Sequence, residues 1–336
     1  MWVAAVRATV VAMNLSKCVE RLFTPAKRPG RVGAEVELIP VTDSGKPRPV
    51  DPQVLASGFD ADFVATAVPS FEPGGQLELS PPPRPNADAL AKDLRALLRR
   101  AAEIASARGV RLEAEGVNPH HTAAEVPLRT RSPRYLAMQA AFDETGPDGR
   151  RMMRLTAALQ IAVDLLPGSA GREQWLVANL AGPPLAAAFS TSDGERTRIW
   201  QGADLRRTGY DGRHLDVADP VGAYQAFAAA APRLPIPQTA DPGYHLSTVF
   251  PPVRPRGGYL EVRYLDAQPP WRIREAVATV ATLLYDARAR RDALDLLLPR
   301  ATDQDRAWRE AAAGFSPESR DLLSITGSAL ITGGVS

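Results

Sequence analysis

Three short segments of the chain alternate polar and aliphatic residues, and all three carry glutamate at polar positions. They are Gly33–Leu38, Gly75–Leu79 and Tyr259–Tyr264, and they lie far apart in the sequence. An alternation with a period of two is typical of a strand with one buried face. The segments are therefore predicted to be strands whose glutamates line one common face of a sheet.

Helical periodicity separates these strands. The clearest helix is predicted to begin at an Asn86 cap and to end near Gly109, because its leucines recur at the spacing of an amphipathic helix. Further helices are predicted at Pro133–Phe142, Arg172–Leu185, Val221–Ala230 and Arg274–Leu298, and a further strand at Leu155–Leu165. No linker is long enough to divide the chain. The pattern favours one α+β domain spanning residues 1–336, with helices packed on an antiparallel sheet whose other face holds the polar cluster.

Composition narrows the class of protein. The chain has 336 residues, of which 45% are hydrophobic and 23% are charged, as in a soluble globular protein with room for a deep cleft. Its 40 basic and 38 acidic residues nearly cancel, so nucleic acid is not an expected partner. The single cysteine, Cys18, excludes an intrachain disulfide and fits a reducing cytoplasm.

The two ends of the chain are expected to differ from the rest. Residues 1–30 are interpreted as an N-terminal extension, whose opening Met1–Met13 is too short and too interrupted by Arg7 to span a membrane. That opening is interpreted as an extra strand or helix, or as an artefact of the assigned start. Residues 310–336 are expected to form a poorly ordered tail, because the Ser/Gly-rich composition from Gly314 onward buries little.

Five glutamates suggest a metal site: Glu35, Glu37, Glu72, Glu78 and Glu261. Carboxylates on neighbouring strands would repel one another, and burial would raise their pKa values, unless a cation neutralised them. Oxygen ligands without histidine or cysteine suit magnesium, with manganese as a substitute. The alternative to a metal site is that these glutamates lie on the solvent-exposed face of a sheet. Against it, these positions carry Glu and Gln almost exclusively, without the usual Lys and Thr.

Other familiar sites find little support in the sequence. It contains no GxxxxGK[ST] phosphate loop, no GxGxxG dinucleotide fingerprint and no HExxH zinc helix. Cys18 lies in an amphipathic stretch without a paired base, which favours a structural role. The adjacent His120 and His121 are better placed in a loop than around one ion.

Several separated motifs occur in the order found in a known family. The matching segments are Gly33–Glu37, Glu72–Ser80, Arg150–Met153 with Thr156 and Gln160, Arg196 with Trp200 and Arg207–Gly209, and His245–Pro251 leading into Tyr259–Arg263. The chain resembles the glutamate–cysteine ligases of the plant and proteobacterial type, and is most similar to the actinobacterial ligases that make γ-glutamylcysteine for ergothioneine. The most specific segments are Glu72–Ser80 (EPGGQLELS) and His245–Arg263.

The resemblance implies a fold and a reaction. The fold would be related to that of glutamine synthetase, with a curved antiparallel sheet forming a funnel and helices on its outer face. The γ-carboxylate of glutamate would attack ATP, and the resulting γ-glutamyl phosphate would acylate the amine of cysteine. The small-molecule substrates would be glutamate, cysteine and ATP, the five glutamates would bind magnesium, and the protein would be a monomer or a homodimer.

The resemblance also implies roles for individual side chains. Arg263 and Glu78 would be catalytic, and this role is favoured for Arg263 over the alternative of an ordinary ion pair with Glu261. Trp200 is expected to pack in the wall of the cleft, and His245 to hydrogen-bond at a strand end. The substrate- and nucleotide-binding residues would be Gln76, Arg151, Gln160, Arg196, Trp200, Arg207, His245, Arg254 and Arg256.

Two departures from the family pattern bear on specificity. The family's QVNLD reads Gln160–Asp164 (QIAVD) here, so Ala162 replaces an amide. Leu155 stands where the plant pattern has arginine, with Arg154 one position earlier and thus on the opposite face of a strand. Two alternatives remain beside the ligation of glutamate to cysteine. One is a ligase that joins glutamate to another amine, and the other is a noncatalytic nucleotide-binding relative.

Overall fold

A computed structural model describes residues 15–314 and 316–327. The strands in this part of the chain form a seven-stranded sheet in which all neighbours are antiparallel. They are β1 (Val32–Thr42), β2 (Val68–Phe71), β3 (Leu77–Ser80), β4 (Val110–Glu113), β5 (Ala158–Asp164), β6 (Val253–Pro255) and β7 (Tyr259–Asp266). Their order is β2-β3-β1-β5-β7-β6, with β4 paired to the second half of β1.

Helices account for most of the remaining chain. The α-helices are α1 (described residues 15–22), α2 (Pro52–Ala56), α3 (Ala61–Thr66), α4 (Ala87–Ser106), α5 (Pro133–Asp143), α6 (Asp148–Leu155), α7 (Gly168–Leu180), α8 (Gly182–Ala188), α9 (Glu195–Gly202), α10 (Leu205–Thr208), α11 (Pro220–Ala230), α12 (Pro242–Leu246), α13 (Ile273–Tyr285), α14 (Ala287–Leu297), α15 (Gln304–Ala313) and α16 (Pro317–Ile325). Short 3-10 turns span Pro237–Ala240 and Leu298–Arg300. The predicted α+β class with an antiparallel sheet is confirmed.

The core lies between one face of the sheet and the helices packed on it. Helices α4 and α13 contact each other, and they pack on β1 and β5. The aliphatic residues of β1 that alternate with its glutamates, such as Val36 and Leu38, are buried in the same cluster as Leu90 and Leu94 of α4. The Asn86 side chain caps α4 by accepting from the Ala89 amide at 2.9 Å. The opposite face of the central strands is left for polar groups.

Two predicted helices are each divided in two. The predicted Arg172–Leu185 helix is interrupted at Ala181, between α7 and α8, because Pro183 and Pro184 have no N–H to continue its hydrogen bonds. The predicted Arg274–Leu298 helix is interrupted at Asp286, which is extended and accepts hydrogen bonds from the first amides of α14.

The strand predicted at Leu155–Leu165 begins later than expected. Leu155 is the last residue of α6, and β5 starts at Ala158. The inference that Arg154 and Leu155 lie on opposite faces of a strand was therefore wrong. The Arg154 guanidinium instead donates to the carbonyl oxygens of Ala123 and Val126, at 2.8 and 3.2 Å, and to Gln139.

The C-terminal region is more ordered than expected over its described part. Helix α16 packs against α8 and α14, and its Leu322 and Leu323 are buried. Ser319 Oγ also donates to the Pro184 carbonyl oxygen at 2.6 Å. Two adjacent leucines thus give this segment an apolar face that the count of Ser and Gly concealed.

Residues 328–336, together with the opening Met1–Met13, lie outside the described residues. Within the described part of the chain, no helix combines the length and the apolar character needed to cross a bilayer.

Candidate active site

Strand register places the predicted polar residues in rows across one face of the sheet. On β1, Glu37 is paired with Glu78 of β3, and Glu35 is paired with Gln160 of β5. Farther along, Glu261 of β7 lies between Ala162 of β5 and Arg254 of β6. Side chains at alternate positions of paired strands point to the same side, so residues distant in sequence converge there.

These rows form the floor of a cavity of about 220 Å³. Twelve of the residues predicted for the site line it: Glu35, Glu37, Glu72, Gln76, Glu78, Gln160, Arg196, Trp200, Arg254, Arg256, Glu261 and Arg263. The expectation that the glutamates share one face of the sheet is confirmed for the four that lie on strands, Glu35, Glu37, Glu78 and Glu261.

Three of the carboxylates are close enough to share one cation. Oxygen atoms of Glu37, Glu72 and Glu78 all lie within 4.8 Å of one another. Burial raises the pKa of Glu72 to about 8, with further increases from the charges of Glu37 and Glu78. Burial also raises the pKa of Glu37, against the opposing charges of Arg196 and Arg263. An all-oxygen donor set under mutual repulsion fits a hard divalent cation.

Hydrogen bonds fix two of these carboxylates. Glu37 accepts from the Ala158 amide at 2.8 Å and from Gln160 Nε2 at 2.6 Å. Ser70 Oγ donates to Glu78 Oε1 at 2.7 Å. Burial is the largest cause of the raised pKa of Glu78, and the charge of Glu37 adds to it. The carboxylates of Glu37 and Glu78 are thereby held in fixed positions beside Glu72.

A glycine turn carries Glu72 into the cluster. The turn is closed by hydrogen bonds from the Gly75 amide to the Glu72 carbonyl at 2.8 Å and from the Glu72 amide to the Gln76 carbonyl at 2.9 Å. Gln76 completes it, since its Oε1 accepts from the Gly74 amide at 3.0 Å and its Nε2 donates to the Thr156 carbonyl at 2.8 Å.

The close neighbour of this turn is backbone of the chain itself. A Cβ on Gly74 would lie 2.3 Å from the carbonyl oxygen of Arg154. The glycine is therefore required for packing against the end of α6.

Glu261 lies in a different environment from the other glutamates. Burial acts to raise its pKa, but Arg263, Arg254 and Arg256 overcome this and lower the pKa to about 2. Arg254 and Arg256 lie 3.5 and 3.3 Å from its carboxylate oxygens, and Arg263 is in direct contact with it. The ion pair considered for Arg263 is thus present.

Arg263 also links Glu261 to the carboxylate cluster through Gln160. Its guanidinium donates to Gln160 Oε1 as well as to Glu261, while Gln160 donates to Glu37. Burial raises the pKa of Glu35 to about 7, and the charges of the nearby Glu78 and Glu261 contribute to the increase. Cations on one side and carboxylates on the other suit a ligand that carries both phosphate and metal.

Arg196 and Trp200, two of the predicted binding residues, lie next to each other in the wall of the cavity. Arg196 donates to the carbonyl oxygens of Tyr264 and Arg263, at 3.2 and 3.0 Å, and its guanidinium carbon lies 5.6 Å from the Trp200 ring centroid. Trp200 stacks on Tyr210 and forms part of the wall, as expected.

Three predicted binding residues lie outside the lining of this cavity. Arg151 pairs with Asp148 at 2.9 Å and with Glu195. Arg207 is buried and donates to the Thr248 and Pro232 carbonyl oxygens. The remaining residue is His245, whose Nε2 lies 2.8 Å from the Ala228 carbonyl oxygen. Each side chain is engaged in holding the surrounding loops and helices.

Other lining residues were not singled out from the sequence. Met152, Met153, Thr156 and Phe250 lie inside motifs that matched the family, so a signal for them was present. Arg134 and Tyr135, from the start of α5, had none beyond helical periodicity. Arg134 donates to the Ser247 carbonyl at 2.7 Å, and its buried Nε has no partner among the described residues.

Comparisons with known proteins agree with the geometry. Residues 31–330 match the family described as Glutamate-cysteine ligase family 2 (GCS2). The chain is 34% identical over 285 residues to the glutamate–cysteine ligase EgtA of Mycolicibacterium smegmatis, covering 71% of this chain and 65% of that protein. It is 29% identical over 281 residues to the chloroplastic glutamate–cysteine ligase of Arabidopsis thaliana, covering 72% of this chain and 52% of that protein.

The matched region therefore spans between half and two thirds of these relatives' own length. Among solved structures, a bifunctional glutathione synthetase from Pasteurella multocida aligns with a TM-score of 0.48 and 14% identity, covering 95% of this chain and 49% of that chain.

Proposed function

Since the chain belongs to the glutamate–cysteine ligase family 2, we propose that it joins the γ-carboxylate of L-glutamate to the amine of L-cysteine. ATP would be converted to ADP and phosphate. The observation that carries the proposal is the convergence of Glu37, Glu72 and Glu78 opposite the cationic group around Arg263 in one cavity. That arrangement suits the transfer of a phosphoryl group to an anionic acceptor.

The first step would transfer the γ-phosphoryl group of ATP to glutamate. A γ-carboxylate oxygen of glutamate attacks the γ-phosphorus, and the bond from that phosphorus to the departing ADP oxygen breaks. A Mg2+ ion, or Mn2+ in its place, would supply positive charge that offsets the repulsion between the two anions. Glu37, Glu72 and Glu78 would hold that ion, while Arg263 would stabilise negative charge on the transferred group.

The second step would form the amide. The cysteine amine attacks the carbonyl carbon of γ-glutamyl phosphate, the C–O bond to phosphate breaks as the C–N bond forms, and the nitrogen gives up a proton to the departing phosphate. Arg196 and Arg134 are assigned to the carboxylates of the amino acids, because both line the cavity and a guanidinium group suits a carboxylate.

We further propose that Glu35 and Glu261 contribute to the metal and phosphate site, and that the sheet curves into a funnel like that of glutamine synthetase. The protein would act in the cytoplasm as a monomer or a homodimer. Light scattering of the purified protein would reveal a higher oligomer if that assignment is mistaken, and an experimental structure with Mg2+ and a nonhydrolysable ATP analogue would show the ligands of each ion.

The direct test is release of ADP by the purified protein with Mg2+, ATP, glutamate and cysteine. We expect ADP in proportion to γ-glutamylcysteine identified by mass spectrometry, and neither product without Mg2+. No ADP release with cysteine or with any other amine tested would overturn the proposal.

One observation favours testing other amines in the same assay. Ala162 occupies the position of an amide in the family pattern and is paired with Glu261, which lines the cavity. ADP release with a different amine, but not with cysteine, would assign the chain to ligases that join glutamate to another acceptor.

A further inference from the structure

Residues 22–26 cross the turn that joins β6 to β7. This crossing segment begins at the last residue of α1 and lies before residue 31, where the match to the family begins. The family pattern therefore assigns it no role. Three of its backbone groups are nevertheless hydrogen-bonded to the turn or to the end of β5, so the segment is part of the framework that carries the site.

The turn itself consists of two glycines. Gly257 and Gly258 have φ angles of +66° and +103°, and the Arg256 amide before them donates to the Tyr259 carbonyl oxygen at 2.9 Å. Two central residues with positive φ allow a tight hairpin whose twist matches that of its strands. The amides of both glycines are bonded outside the hairpin.

The crossing segment supplies the acceptors for these two amides. Gly257 donates to the Leu22 carbonyl oxygen and Gly258 to the Thr24 carbonyl oxygen, each at 2.8 Å. The backbones lie so close that a Cβ on Gly257 would be 3.2 Å from the Arg21 carbonyl oxygen. The position of the turn is therefore fixed by the segment that crosses it.

Two further contacts hold the crossing segment in place. The Phe23 ring lies 4.9 Å from the Trp175 ring and 5.7 Å from the Tyr224 ring, edge to face in both cases, and both partners are buried. The Ala26 amide donates to the carbonyl oxygen of Leu165, directly after β5, at 2.9 Å. The segment is thus attached to the core by an aromatic side chain and to the sheet by its backbone.

The hairpin carries two arginines of the site. Arg254 lies on β6, Arg256 directly precedes the turn, and both line the cavity. They lie 3.5 and 3.3 Å from the carboxylate of Glu261. The Arg256 side chain is 40% exposed, and an ion pair with that much exposure restrains a side chain only weakly. Its position therefore depends on the backbone that carries it.

We propose that the crossing segment is a positioning element of the active site. By fixing the glycine turn, it holds Arg254 and Arg256 beside Glu261, where their guanidinium groups bind the phosphates of the nucleotide. The inference rests on the proposed function, because it takes ATP as the substrate that carries phosphate. It assigns a function to a part of the chain that contributes no side chain to the cavity lining.

The first test crowds the contact between the turn and the segment. Gly257→Asn places a Cβ against the Arg21 carbonyl oxygen, and Asn is among the residues that best tolerate a positive φ. Gly45→Asn is the matched control, because Gly45 has a φ of +70° and a Cβ there would meet nothing within 4 Å. ATP binding with Mg2+ is measured by calorimetry, and Mn2+ binding by electron paramagnetic resonance.

We expect Gly257→Asn to weaken ATP binding by about tenfold, the effect of losing one hydrogen bond to a charged group. The Mn2+ affinity should stay unchanged, because the hairpin carries none of the three clustered carboxylates. The Gly45→Asn control should alter neither affinity.

The second test releases the segment without altering the turn. Phe23→Ala removes the edge-to-face contacts with Trp175 and Tyr224. Phe59→Ala is the matched control, since Phe59 is also partly buried and stacks on Phe63 at 4.6 Å between α2 and α3. Both changes should lower the melting temperature by similar amounts, but the loss of ATP affinity should be confined to Phe23→Ala.

A double-mutant cycle shows whether the segment acts through the arginine. Arg256→Gln removes a phosphate contact, so adding Phe23→Ala to it should cost less ATP affinity than Phe23→Ala costs in the unaltered protein. Fully additive losses would overturn the inference. So would equal weakening of ATP and Mn2+ binding by Phe23→Ala, since the effect on the site would then be general.

The two proposals fail in different ways. If the segment variants weaken ATP binding as expected but no amine is ligated, the proposed function is overturned and the positioning role stands. If an amine is ligated while Gly257→Asn and Phe23→Ala retain full ATP affinity, the positioning role is overturned and the function stands. An unaltered protein that binds no ATP would overturn both.

Discussion

Glu78 shows how much a single side chain of the cluster contributes through its charge. It lies opposite Glu37 on the neighbouring strand and accepts from Ser70 at 2.7 Å. Its carboxylate is one of three within 4.8 Å, so without a cation it adds repulsion. The contribution of Glu78 to folding is therefore expected to be small or unfavourable when no metal is bound, and favourable only when a metal is present.

We predict that Glu78→Gln lowers Mn2+ affinity and turnover by about 100-fold or more, because it removes an anionic ligand while preserving volume. The amide oxygen can still accept from Ser70, and repulsion within the cluster decreases. The melting temperature of the metal-free variant should therefore equal or exceed that of the unaltered protein. Mn2+ binding is followed by electron paramagnetic resonance, and unfolding by circular dichroism.

Glu103→Gln is the control, since Glu103 lies on the exposed face of α4 and the change in charge is the same. It should leave metal affinity and turnover unaltered. If Glu78→Gln instead lost folding and activity together, with metal affinity intact, Glu78 would have to be assigned a structural role.

Helix α16 shows which interactions stabilise a single element of the fold. It begins with a Ser316 cap and buries Leu322 and Leu323 against α8 and α14. Arg300 also pairs with Glu318 at 2.7 Å, but a partly exposed ion pair contributes little compared with two buried leucines. The helix is therefore held mainly by its apolar face.

Leu322→Ala should lower the free energy of unfolding by about 2 to 5 kcal/mol, the usual cost of removing a fully buried leucine. Urea denaturation monitored by tryptophan fluorescence provides the measurement. The matched change is Leu298→Ala, because Leu298 is 39% exposed in the turn after α14, and its cost should stay well below that of Leu322→Ala. Equal small effects would mean that α16 does not pack stably on the domain.

At the scale of the molecule, ionisation of the buried carboxylates in the site lowers the stability of the folded protein. Burial raises the pKa of Glu72 to about 8 and that of Glu35 to about 7, from an ordinary value of 4.5. The folded protein therefore binds these protons more tightly than the unfolded chain does. The resulting stability is fully present below about pH 4.5 and is lost as pH rises through 7 to 8.

Glu261 behaves in the opposite way, because its arginine neighbours lower its pKa to about 2. Its stabilising contribution is present above the ordinary value of 4.5 and is lost only as pH falls toward 2. Between pH 5 and 8 this contribution is constant, so Glu261 does not mask the titration of Glu72 and Glu35.

We predict that the melting temperature in EDTA falls by a few degrees between pH 5 and 8, as these carboxylates ionise without a counterion. Added Mg2+ should raise the melting temperature, and the increase should grow over the same pH range because the metal competes with the protons. Differential scanning calorimetry at several pH values provides both curves. A melting temperature in EDTA that stays flat or rises from pH 5 to 8 would contradict the prediction, and Glu72→Gln should flatten the curve.

The sequence alone determined the class of fold and the residues that share a face. Alternation in Gly33–Leu38 and Tyr259–Tyr264 is a local property, because the backbone of a strand turns successive side chains to opposite sides. The Asn86 cap and the leucine spacing of α4 are also local properties, so helix α4 could be predicted from the sequence. Breaks at Ala181 and Asp286, and the late start of β5 at Ala158, depended on competing local signals of similar strength and were missed.

Only the tertiary structure decided which of the shared-face residues meet. Glu37, Glu72 and Glu78 form a compact cluster, whereas Glu261 lies among three arginines. Their distances follow from strand order, register and the packing of the Gly74 turn against α6, none of which a segment carries by itself.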